Sequence, residues 1–68
     1  MDYETAKELL NETLKLSNQI DKIISVTKAI DDPVIRDKFQ KIVGELAGLS
    51  TDIVFGIEKF YPDLNPDK

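Results

Sequence analysis

Three carboxylates, Glu4, Glu8 and Glu12, recur four residues apart near the start of the chain. On a helix this spacing stacks them along one side, where they could hold a hard cation. Metal sites inside helical bundles add histidine from Glu-x-x-His pairs, and the chain has no histidine. The carboxylate row therefore reads as a solvated face. Ser17, Ser25 and Ser50 are the candidate nucleophiles, but no imidazole is present to activate them. Activation by lysine would need a cleft, which two helices do not make. There is no cysteine, so no thiolate metal site and no disulfide. No glycine-rich phosphate loop follows a strand, because nothing in the pattern reads as a strand. These absences assign no catalytic residue, no metal ligand and no cofactor, and the chain is expected not to be an enzyme.

Lys7, Lys15 and Lys22 share one side of the first arm, interspersed with the glutamates. With 13 acids against 9 bases the net charge is −4. Such a chain does not attract phosphate backbones at long range. An RNA- or DNA-binding hairpin dimer is the alternative to the reading developed below, with nucleic acid the less favoured partner. The polar faces are not rich enough in Lys and Arg for a membrane surface. The first residues, Met1-Asp2-Tyr3-Glu4, lack the basic and apolar regions of a signal peptide. The longest apolar run, Ile53 to Ile57, is far short of the ~20 residues that span a bilayer. A cytoplasmic location is the expectation.

The elements that carry these residues are two arms. From Met1 to Asp32 there is no glycine or proline, and Leu9, Leu16, Ile23 and Ile30 recur at spacing seven. Ala6, Thr13, Ile20 and Thr27 form a second row, and Leu10, Ser17 and Ile24 a third. This period is helical, so the first arm is expected as a helix over 2–30 with Asp2 as its N-cap. Asp31-Asp32-Pro33 breaks it. Proline is excluded from a helix interior and favoured at its first position, and Asp32 before it is a good N-cap. The apolar phase also jumps here, so a turn at 31–32 separates the arms. The second helix is expected over 33–61. Its rows are Ile35, Ile42, Leu49 and Gly56, then Phe39, Leu46, Ile53 and Phe60. Flanking rows hold Val43, Ser50 and Ile57, and Ala47, Val54 and Tyr61. Two arms of about 42 Å, joined by a short turn, make an antiparallel hairpin over residues 1–61.

The rows through Ala6 and Leu9 on the first arm and through Ile35 and Phe39 on the second are expected to form the seam within the hairpin, most layers pairing small with large residues or medium with medium. Thr27 should face Ile35, Ile23 face Phe39, Ile20 face Ile42, and Leu16 face Leu46. The series continues with Thr13 by Leu49, Leu9 by Ile53, and Ala6 by Gly56, with a shift of one helical turn as the alternative. The second arm's apolar arc covers about 160°, more than one partner helix uses. The uncovered remainder is predicted to be an oligomer interface of Leu10, Ser17 and Ile24 with Val43, Ala47, Ser50, Val54, Ile57 and Tyr61. The expected fold class is therefore all-α, a two-helix hairpin that dimerises into a four-helix bundle. Gly44, Gly48, Thr51 and Phe55 form a row on the back of the second helix, a candidate secondary docking site. Residues 62–68 read as an extended tail after the helix-ending Tyr61-Pro62. The function implied is a small interaction protein, of adaptor, chaperone or inhibitor type, that self-associates and binds a protein partner.

Overall fold

The computed structural model describes residues 1–64. They form two packed helices, α1 (Tyr3–Thr27) and α2 (Pro33–Phe60), followed by a single 3-10 turn (Pro62–Leu64). There is no strand among the described residues. Asp2 caps α1 by accepting a hydrogen bond from the Thr5 backbone N–H at 2.8 Å. Asp32 caps α2 through Val34 N–H at 2.8 Å and Ile35 N–H at 3.3 Å, with Pro33 in the first turn. At the far end the Tyr61 N–H closes on the Ile57 carbonyl at 2.8 Å, and Pro62 prevents continuation.

The connection is longer than the sequence suggests. α1 ends at Thr27, three residues short of Ile30. The next turn tightens, with Ala29 N–H bonding Val26 and Ile30 N–H bonding Thr27. This satisfies carbonyls that the helix leaves open. Five residues, 28–32, then make the reversal. The Arg36 guanidinium reaches back to the Ile30 carbonyl at 3.3 Å and ties the connection to the second helix. Residues 62–64 fold into the 3-10 turn instead of extending, and Leu64 is half-buried. The remainder of the tail, 65–68, lies outside the described residues.

The seam between the helices is shifted by about one turn from the expected register. Its buried residues are Ala6, Leu10, Thr13, Ile20 and Thr27 from α1, and Val43, Ser50 and Ile57 from α2. Ser17 and Ser50 meet across it, with hydroxyl oxygens 2.9 Å apart. Ser17 therefore lies opposite Ser50, not one of a Leu16/Leu46 and Thr13/Leu49 neighbourhood. Ala6, Thr13, Ile20 and Thr27 lie in the seam as expected, but other residues assigned to it are outside: Leu16 and Leu46 are each 40% exposed, and Phe39 is 48% exposed.

The physical reason is closeness. Small residues at Ala6, Thr13, Ser17, Ala47 and Ser50 let two backbones approach in a way that facing leucines and phenylalanines prevent. Their polar atoms do not go unpaired. The Thr13 hydroxyl donates to the Leu9 carbonyl at 2.7 Å, and the Thr27 hydroxyl donates to the Ile24 carbonyl at 2.6 Å. The open end is closed by aromatics, not by an Ala6/Gly56 layer. Tyr3 meets Tyr61 edge-on, with ring centroids 6.4 Å apart, and the Tyr61 hydroxyl donates to the Met1 carbonyl.

Candidate protein-interaction face

The seam consumes the surface that the sequence had assigned to self-association. Leu10, Ser50, Val43 and Ile57 are buried in it, and Ser17, Ile24, Ala47, Val54 and Tyr61 are half-buried along its edges. Those four are taken up within one hairpin, and the other five keep part of their surface open. What the hairpin leaves open is the set of large residues.

The exposed set has a definite place. α1's seam is centred between the Ala6–Thr13–Ile20–Thr27 row and the Leu10–Ser17–Ile24 row. At 3.6 residues per turn, Leu9, Leu16 and Ile23 lie about 80° around the helix from that centre. On α2, Phe39, Leu46, Ile53 and Phe60 lie about 70° from the corresponding centre, in the same rotational sense. Because the helices run antiparallel, equal senses point to the same side of the hairpin. Ile35, Ile42 and Leu49 form a further row at the outer edge of α2. On the opposite side a shallow, open groove of about 130 Å³ runs between Ser17, Ile20 and Asp21 and the facing Ala47, Ser50 and Thr51.

The open face is large. Ten residues on it, from Leu9 at 40% to Leu49 at 63% and Phe60 at 72%, each expose more than a third of their surface. At about 200 Å² for a fully exposed large side chain, they present on the order of 900 Å² together. Soluble monomers rarely leave more than about 300–600 Å² of contiguous apolar patch. A stable complex buries about 800 Å² on each partner. No charged residue interrupts these rows in either helix.

The remaining candidates are weaker. Gly44, Gly48, Thr51 and Phe55 are all exposed, on the side of α2 away from the apolar face. Phe55 is 61% exposed, and the Thr51 hydroxyl is taken up by the Ala47 carbonyl at 3.1 Å. The groove beside Ser17 and Ser50 is small against the 300–1,000 Å³ typical of ligand pockets. Glu12, of the carboxylate row, pairs with Lys15 at 3.1 Å, and both side chains are more than two-thirds exposed. No group of His, Cys, Asp or Glu among the described residues is placed to hold a metal ion. No described helix is long and apolar enough to cross a membrane.

One signal in the sequence marked the close approach: the inner row of α1 is small at Ala6, Thr13 and Thr27, and Ala47 stands near Ser50 on α2. Comparison with protein-family models, with curated proteins and with solved structures finds no match to this chain.

Proposed function

We propose that the chain is a non-enzymatic interaction protein: a helical hairpin that self-associates through its open apolar face and presents its polar outer surface to a protein partner. The exposed rows of Leu9, Leu16 and Ile23 with Phe39, Leu46 and Ile53 carry this reading. An uncharged surface near 900 Å² is what half of a stable interface requires. It follows the long dimension of the 46 × 21 × 15 Å hairpin, so the natural occupant is helical and runs alongside it. Two hairpins stacked on these faces make a four-helix bundle and close the surface. A mixed-charge exterior and a small, open groove leave the protein's outer surfaces, not a cavity, as the place where adaptor, chaperone or inhibitor work is done.

The reading is tested by Leu46→Glu. This substitution puts a carboxylate at the middle of the open face, where pairing would bury it without a counter-charge. Light scattering is expected to show the mass falling to the 7.7 kDa of one chain. An unchanged, larger mass for Leu46→Glu would remove this face from the assembly.

A further inference from the structure

Resting on that reading, we infer that the occupant is a second copy turned end for end, so that α2 packs on α2 and the two connections lie at opposite ends of the bundle. Two closed twofold arrangements stack the hairpins face to face. In one, the connections lie at the same end and each α2 faces the other copy's α1. In the other, the axis lies across the helices and like faces like.

The rows decide between them. α2 carries two apolar rows beyond the seam, the inner one through Leu46 and the outer one through Leu49. α1 carries one, and its outer edge holds Thr5, Glu12, Gln19 and Val26. Pairing α2 with α1 would set Leu49 against Gln19 and leave Ile42 only Val26 to cover it. Pairing like with like sets α2's apolar rows together and puts the outer edges of α1 together on the other side, where Gln19 of one copy lies opposite Gln19 of the other.

The height of the axis follows from coverage. Centring it between Leu46 and Leu49 covers α2 from Ile35 to Phe60. Moving it a turn or two either way leaves Ile35 and Phe39, or Phe60, in solvent. The Ser17–Ser50 contact then fixes where α1 meets the same axis. It falls midway between Leu16 and Ile23, so those residues pair across it without further adjustment. This centring also brings Phe39 of one copy over Gly56 of the other. Gly56 is the only interruption in α2's outer row, and a Cβ built there meets nothing within 4 Å. Within one hairpin the glycine relieves no crowding. In the pair it leaves the space that a phenylalanine fills.

Two measurements on the full chain test this arrangement. The protein has no cysteine, so Asp31→Cys carries a spin label at a single site in the connection. Opposite-end packing predicts an inter-label distance near the 46 Å length of the hairpin. A dimer giving a distance under about 20 Å, two helix spacings, has its connections together and overturns the arrangement. A monomer with no inter-label distance overturns the self-association itself. Gly56→Leu is expected to weaken dimerisation at least tenfold while leaving the helical hairpin intact by circular dichroism. An equal or tighter dimer would exclude the Phe39–Gly56 contact.

Discussion

Leu49 separates the chain as a lone hairpin from the chain as part of a bundle. In one hairpin its side chain is 63% exposed, on the outer row of α2. Truncating it to alanine there removes few contacts and slightly favours the helix, so an isolated hairpin should hardly register Leu49→Ala. In the proposed pair the exposed part is buried. Full burial of a leucine side chain is worth about 1.5–3 kcal/mol, so the newly covered portion is worth about 1–2 kcal/mol. Two copies carry it, which makes about 2–4 kcal/mol per dimer. At about 1.4 kcal/mol per factor of ten, the dissociation constant should rise roughly 30- to 700-fold. Sedimentation equilibrium across a concentration series reads this directly. Thermal unfolding followed at several concentrations gives a second reading, because linked association makes the melting temperature depend on concentration. If Leu49→Ala changes neither the association constant nor the concentration dependence, the open face is not where copies meet.

Other substitutions sort the seam from the face. Ile20, 2% exposed at the centre of the seam, should lose about 2–5 kcal/mol of stability on truncation to alanine, seen as a lower urea midpoint at every protein concentration. Gly48→Ala meets nothing within 4 Å and should stabilise α2 by up to about 1 kcal/mol in urea unfolding; a loss of stability would mark the groove row as a packed surface. Asp2 is held below its ordinary carboxyl pKa of 3.8 by hydrogen bonds from the Thr5 side chain and then the Thr5 backbone. Its folded-state pKa is depressed, so its contribution is complete above that ordinary value and is lost as pH falls through the lower folded value. Asp2→Asn should flatten this acid limb of the helicity profile, and an identical limb would show that the cap does not respond to pH.

The sequence made the architecture readable because its strongest signals are local. Asp2 and Asp32 cap helices as their types and positions suggest, and Pro33 opens α2. Helical period over both arms left no room for a strand. The connection was less legible: no breaker stands between Thr27 and Asp31, and the early end of α1 reflects the room needed to reverse direction. The facing surfaces were least legible. α2 has an apolar arc wide enough for two neighbours, and hydropathy gives the direction of the arc, not which neighbour sits on which part. Placing Leu16 by Leu46 assumed that the rows through both leucines turned toward each other. The hairpin ranks contacts by closeness, so Ser17 and Ser50 meet and the leucines are left for the next layer. Val54, placed by the sequence in the interface between hairpins, lies on the half-buried edge of the seam, so Val54→Glu should weaken the hairpin itself.

The mass of the unmodified chain in solution bears most directly on the central claim that the open apolar face is covered by another copy. Light scattering or sedimentation equilibrium at micromolar concentration should give twice the 7.7 kDa chain mass, with helical circular dichroism. A stably folded, fully helical species at 7.7 kDa up to millimolar concentration would contradict it.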